Sequence, residues 1–133
     1  MTPRIPVIGH RGACAYVPEH TLPSVALAHA MGADFIEQDV ILTRDNVPVV
    51  FHDLWLEEAT DVEAVFPGRA RRDGHFYVVD FLLREVKALQ VFERISPGSE
   101  DMFFPNRFPL AKTGLCIATL AESINLIQGL NRS

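Results

Sequence analysis

Apolar residues come in short bursts along this chain, and several bursts close on a residue equipped for chemistry. Ile5 to Gly9 is an apolar run ending at His10, the pattern of a short buried strand. Residues 11–20 carry Gly12 and Pro18 and read as loop. Thr21 is placed to cap a helix with Pro23 in its first turn, where a missing N–H does no harm. Leu22, Val25, Ala26, Ala28 and Ala30 continue that helix, and Gly32 supplies a left-handed stop. Phe35 to Thr43 then alternates as a strand does: Phe35, Glu37, Asp39 and Ile41 share one face, Ile36, Gln38, Val40 and Leu42 the other. Arg44-Asp45-Asn46 supplies turn chemistry, and Val47 to Phe51 is a second strand running into His52. The connection is too short for a parallel crossover, so the two strands are predicted to form an antiparallel hairpin. A turn centred on Asp45-Asn46 sets His52 opposite Asp39 on the same face, and a slip of one residue would turn it away.

The rest of the pattern is less regular. Residues 54–80 read as irregular, with Pro67-Gly68 and Asp73-Gly74 marking turns. Phe81 to Phe92 has helical spacing at Leu82, Val86 and Leu89, and a loop rich in Pro and Phe follows from Ser96 to Pro109. Thr119-Leu120-Ala121-Glu122 is a capping box opening a last helix through Leu126 to Ile127, stopped at Gly129. No internal repeat or low-complexity segment interrupts this order.

Composition narrows the classes. A chain of 133 residues with 48% hydrophobic and 22% charged residues fits one ordered domain with its own core. A formal charge of −5 argues against nucleic-acid binding, because no basic stripe is present to neutralise a phosphate backbone. The densest basic stretch, Arg69, Arg71 and Arg72, lies among turn residues and reads as a solvated loop. Cys14 and Cys116 are too few and too far apart for a disulfide framework or a zinc site and are expected to be free thiols. No apolar run approaches the ~20 residues that cross a bilayer. The N-terminus lacks a signal-peptide layout, which leaves a cytoplasmic protein and a chain shorn of its leader equally open.

Glu37 and Asp39 are the strongest local signal. Two carboxylates two apart on a strand point the same way, and an apolar face bearing Phe35 and Ile41 suggests burial that only a positive charge would make tolerable. An all-oxygen pair favours a hard cation, Ca²⁺ or Mg²⁺, with further ligands from elsewhere. The bland alternative is a half-exposed strand with polar residues facing water. His10 and His52 each end a strand beside this pair, so one imidazole can activate an attacking oxygen while the other protonates a leaving alkoxide. A competing reading makes both histidines ligands with Glu37 and Asp39, a mixed N/O site suited to Mn, Fe or Zn. Arg11 is a natural phosphate partner, or else a surface arginine paired with Glu19. His20, His29 and His75 read as structural or solvated.

In order, these residues resemble the start of a glycerophosphodiester phosphodiesterase. The matching stretches are Val7-Ile8-Gly9-His10-Arg11-Gly12, Pro18-Glu19-His20-Thr21-Leu22-Pro23, Gly32 to Val40, Leu42-Thr43-Arg44-Asp45 and Val49-Val50-Phe51-His52-Asp53. Asp61 to Asp80 and Gln128-Gly129-Leu130-Asn131 further resemble the bacterial periplasmic-type branch, which suggests a periplasmic location. The resemblance implies an α/β fold, the N-terminal part of a (β/α)₈ TIM-like barrel with an early β-hairpin and a loop-rich insertion over residues 54–109, its site at the strand C-terminal ends. It places acid and base roles on His10 and His52, metal binding on Glu37 and Asp39, and phosphate contact on Arg11. The cofactor implied is a divalent cation, Ca²⁺ ahead of Mg²⁺. The reaction implied is hydrolysis of a small-molecule glycerophosphodiester to glycerol 3-phosphate and an alcohol, by direct water attack or through a cyclic phosphate.

Such a barrel runs to ~250 residues. The 133 residues are therefore expected to be a truncated part of one, lacking a further metal-binding glutamate on a later strand and leaving an open strand edge. Two alternatives stand beside the hydrolase: a catalytically incomplete domain that at most binds a cation or phosphodiester, and a related phosphodiesterase or phospholipase D acting on lysophospholipids.

Overall fold

The computed structural model describes residues 4–96, 101–104, 107 and 114–132. Its first unit is a strand, helix and strand. Strand β1 (Ile8–His10) lies parallel to β2 (Phe35–Glu37), and helix α1 (Leu22–Ala30) connects them. Thr21 caps α1 as the sequence predicts, its hydroxyl accepting from the Ser24 N–H, and Gly32 (φ +83°) turns the chain out of the helix. A hairpin follows, with β3 (Val40–Leu42) antiparallel to β4 (Pro48–Val50).

Three expectations for this half need correction. Ile5 to Gly9 is not a buried strand: pairing begins only at Ile8, and Ile5, Val7 and Ile8 are exposed. Phe35 to Thr43 is not one strand, because the chain leaves β1 after Glu37 and takes β4 as its new partner from Val40. The face bearing the two acids is also less buried than expected, with Phe35 62% exposed and Ile41 only partly covered.

The hairpin register differs by one residue. Val40 faces Val50 and Leu42 faces Pro48, and Phe51 donates its N–H to the Asp39 carbonyl at 3.1 Å, so Phe51, and not His52, follows opposite Asp39. The reason is loop length. Thr43 donates its N–H to the Val47 carbonyl, and Asn46 sits left-handed at φ +60°, so the turn is a three-residue loop of Arg44, Asp45 and Asn46 and not a two-residue one.

The core lies in the second half. Leu56, Val62, Phe76, Val78, Phe81 and Leu89 pack with Val49, Phe51 and Ile117, all within a few percent of complete burial. Side chains such as Phe81 and Leu56 each contribute about 1.5–3 kcal/mol by leaving water. The region read as an irregular insertion is thus what the hairpin packs against. It is built from helix α2 (Val62–Val65), a 3₁₀ turn at Val78–Asp80 and single bridges joining Trp55 to Tyr77 and Thr60 to Val91.

The helix expected over 81–92 shrinks to α3 (Leu83–Val86). Phe81 is extended and fully buried, Leu82 serves as the cap, and the Val91 N–H goes to the Leu115 carbonyl at 2.7 Å in place of a helical bond. The Ser96 to Pro109 loop falls largely outside the described residues; its described part pairs Ile95 with Met102. Helix α4 (Leu120–Leu130) carries the predicted capping box of Thr119 and Glu122, but runs through Gly129 and ends at Asn131. It packs on α1, while Val50 donates to the Ala118 carbonyl at 2.8 Å and ties the hairpin to the start of α4. Among the described residues, no helix is long and apolar enough to cross a membrane.

The basic loop is not merely solvated. Arg69 lies over the Phe81 ring and pairs with Glu85 at 2.9 Å, and Arg71 forks onto both Asp80 oxygens. His75 stacks on Trp55 and bonds Glu57, a structural role as expected.

Candidate active site

Parallel pairing puts His10 level with Glu37 at the shared C-terminal end of β1 and β2. The His10 Nε2 stands 3.9 Å from Glu37 Oε2. Directly after His10 the backbone turns through two left-handed residues, Arg11 (φ +58°) and Gly12 (φ +84°). The turn is sterically specified: a Cβ on Gly12 would stand 2.5 Å from Ser24 Oγ and 2.8 Å from its carbonyl carbon. It aims the Arg11 N–H at Glu37 Oε2 (3.1 Å), while the Arg11 carbonyl accepts from the His20 N–H (3.0 Å) and the Ser24 hydroxyl (3.2 Å).

Asp39, beyond the break in the strand, is gathered by two neighbours. His20 Nε2 lies 3.0 Å from Asp39 Oδ2, and Arg11 Nε approaches the same oxygen at 3.5 Å. Burial lowers the His20 pKa more than the hydrogen bond and charge of Asp39 raise it. Burial thus favours the neutral ring, whose Nε2 can donate to the Asp39 carboxylate in the Nε2–H tautomer. Arg11 thus touches both carboxylates, Glu37 through its backbone and Asp39 through its side chain.

His52 is held differently. Its Nδ1 donates to Asp53 Oδ1 at 2.6 Å, and Asp53 Oδ2 in turn accepts from Arg94. Arg94 also bonds Glu58 (2.8 Å) and Glu19 (2.9 Å), and Glu19 accepts from Arg11 (3.0 Å). The structure therefore brings His10, Arg11, Glu37 and Asp39 together directly. Among the described residues His52 makes no ion pair with Glu37 or Asp39 and joins them only through this chain of ion pairs. Arg11 is a partner of Glu19, as its bland reading had it, and at the same time a component of the site.

No group of three or more His, Cys, Asp or Glu side chains among the described residues is arranged to hold a metal ion. The four-ligand N/O site that would suit Mn, Fe or Zn is therefore not formed by His10, His52, Glu37 and Asp39. Two carboxylates remain, 37% and 36% exposed, which suits an oxygen-seeking cation that fills its shell with water and substrate. Charge supports the fit: among the described residues, Glu19, Glu37, Asp39, Asp53 and Glu58 have Arg11 and Arg94 as their arginine partners, an excess of carboxylates that would repel an anionic phosphate.

Sequence reasoning passed over Glu19, His20, Asp53 and Arg94 as members of the site. Glu19, His20 and Asp53 stood inside the matched stretches, adjacent to named residues, so a signal was available. Arg94 had none, being 41 residues from Asp53 in an irregular region.

The profile of the Glycerophosphoryl diester phosphodiesterase family matches residues 10–133. The chain belongs to this family. It is 46% identical to a glycerophosphodiester phosphodiesterase of Haemophilus influenzae and 40% identical to one of Treponema pallidum, in each case over 96% of its own length. It spans about a third of those relatives, 35% and 36%. Among solved structures, a glycerophosphoryl diester phosphodiesterase from Silicibacter pomeroyi superposes with a TM-score of 0.73 at 31% identity, covering 97% of this chain and 42% of that one. An Oleispira antarctica phosphodiesterase, solved with its product sn-glycerol-3-phosphate, superposes at 0.66 with 29% identity over 95% of this chain and 41% of that one. The family is one of enzymes, and the fold is the partial α/β barrel that the resemblance implies.

Proposed function

We propose that this chain carries the acid, base and carboxylate groups of a metal-dependent hydrolysis of glycerophosphodiesters to glycerol 3-phosphate and an alcohol. The observation that carries the reading is the pairing of His10 with Glu37 at the end of two parallel strands, with Arg11 joining Glu37 to Asp39. Strand C-terminal ends are where barrels of this kind place their chemistry. The product bound by the Oleispira antarctica relative supports the substrate class.

In this reading Glu37 and Asp39 hold a divalent cation, Ca²⁺ ahead of Mg²⁺, which supplies charge to offset the phosphoryl oxygens. Arg11 lies within reach of both and faces the phosphate with the part of its guanidinium that Glu19 leaves open. His52 is the base. With Nδ1 donating to Asp53, the neutral ring keeps its lone pair on Nε2, ready to take a proton from the attacking oxygen. His10 is the acid: as the phosphorus–oxygen bond to the alcohol breaks, it gives a proton to the departing alkoxide. The scheme uses two imidazoles that return to their starting states after the reverse transfers through solvent.

The test is release of glycerol 3-phosphate from a glycerophosphodiester, with and without a chelator, alongside a lysophospholipid. Release that the chelator abolishes, with no action on the lysophospholipid, is expected. Release unaffected by chelation overturns the cation's role. A second reading, cation or phosphodiester binding without turnover, is favoured by the two-carboxylate set. Ca²⁺ raising the melting midpoint while no product forms would select it.

A further inference from the structure

We propose that Arg94 is a positioning residue that fixes the tautomer of His52 and couples it to Arg11 through one chain of ion pairs. The inference goes beyond the acid and base roles above while resting on the reading of His52 as base.

Arg94 comes from the irregular second half of the chain, yet its side chain reaches the site and is only 11% exposed. It spends both ends of its guanidinium there. Nη2 bonds Glu19 at 2.9 Å, on the same Oε1 that accepts from Arg11 at 3.0 Å. Nη1 bonds Asp53 Oδ2 and, at 2.8 Å, Glu58 Oε2. Glu58 is itself pinned by the Trp55 indole N–H at 3.0 Å. Asp53 spends its other oxygen on His52 Nδ1 at 2.6 Å. The order is unbroken: Arg11, Glu19, Arg94, Asp53, His52.

Three features make this more than a surface network. Glu19 and Asp53 are 13% and 12% exposed, so neither carboxylate can turn to water for replacement partners without opening the structure. A planar fork can hold two carboxylates at fixed separation, which a single ammonium cannot. The Arg94 pKa is raised in spite of burial, by its bonds to Glu19 and Asp53, so its charge is permanent at any working pH. Without Arg94, Asp53 would lose the donor that holds Oδ2, and its Oδ1 would no longer be aimed at Nδ1. The His52 ring would then be free to carry its proton on Nε2, the nitrogen that the base role needs bare.

The test is a two-bond ¹H–¹⁵N correlation spectrum of the histidine rings in the labelled chain, above the pH where they titrate. His52 is expected as the Nδ1–H tautomer in the wild type. In Arg94→Met the ratio of Nδ1–H to Nε2–H should fall, because the hydrogen bond that Nδ1 makes sets which nitrogen carries the proton. His29, which bonds Asn131 elsewhere on the surface, should keep its pattern and reports that the fold is intact. Arg94→Lys keeps the charge but not the fork, and should give an intermediate ratio; it carries the test if the Met variant fails to fold. A wild-type His52 pattern in whichever variant folds overturns the proposal. A wild-type chain with the Nδ1–H tautomer that hydrolyses nothing would instead fail the functional reading and leave the positioning role standing.

Discussion

Replacing Gly12 by alanine should cost far more than the same change at Gly32, and the difference can be worked out from the structure. Both residues are left-handed, at φ +84° and +83°, so each substitution incurs the ~1–2 kcal/mol of a Cβ in that conformation. At Gly32 nothing lies within 4 Å of the added carbon, and the cost ends there. At Gly12 the added carbon meets Ser24 Oγ at 2.5 Å and its carbonyl oxygen at 2.9 Å. The carbonyl carbon and oxygen are backbone of helix α1 and cannot swing aside as the Oγ can, so overpacking adds a further ~1–3 kcal/mol. Relief of the clash would also pull Ser24 from the Arg11 carbonyl and from the Ala13 N–H, the two bonds that set the turn. The total of ~2–5 kcal/mol is a large share of the ~5–15 kcal/mol that holds an ordinary domain together. Urea unfolding of wild type, Gly12→Ala and Gly32→Ala, fitted with a common slope, measures it. Equal losses in the two variants, within the ~0.5 kcal/mol scatter of such comparisons, would refute the steric account of the turn.

Other consequences follow from the same contacts. Thr119→Ala removes the acceptor for the Glu122 N–H and should lower stability by ~1 kcal/mol in the same urea assay. Burial works to raise the Glu19 pKa, but the Arg94 and Arg11 guanidiniums outweigh it and hold it below the ordinary 4.5. Glu19 therefore stabilises the fold above that ordinary value and loses this contribution as pH falls through its depressed one, so Glu19→Gln should flatten the acid limb of a stability–pH curve. Burial raises the Glu93 pKa, with Arg107 opposing, and among the described residues its Oε2 has no hydrogen-bond partner. The sign is reversed: the cost of ionised Glu93 is present at neutral pH and relieved in acid, so Glu93→Gln should raise the melting midpoint near pH 7 and leave it unchanged near pH 3.

The starts of α1 and α4 were legible because their signals are local. Thr21 with Pro23 starts α1, Gly32 ends it, and Thr119 with Glu122 opens α4, each by a cap that needs no distant partner. The errors arose where a distant partner decides. Residues 35–43 read as one strand from the sequence, yet the strand breaks because β1 and β4 compete for its two halves. Phe81 to Phe92 carries helical spacing, but Phe81 and Leu89 are drawn into the core and Val91 into a bridge. The register slip was legible in principle, since Asn46 is a residue that tolerates the left-handed third position of a three-residue loop. For the candidate site, residue type and spacing singled out His10, Arg11, Glu37, Asp39 and His52, and the structure brings the first four together while His52 pairs with Asp53. What joins them was largely not visible: Asp53 carries no role in the sequence reading, Glu19 enters it only as a partner for Arg11, and Arg94 arrives from a segment with no periodic pattern.

The most direct measurement is the rate of glycerol 3-phosphate release, in the presence of Ca²⁺, by wild type, His10→Ala, His52→Ala and His29→Ala. Loss of either reacting imidazole should lower the rate by ~10²–10⁴-fold, while His29→Ala, on a bond to Asn131, leaves it unchanged. Undiminished release by His10→Ala or His52→Ala would contradict the assignment of proton transfer to these two rings.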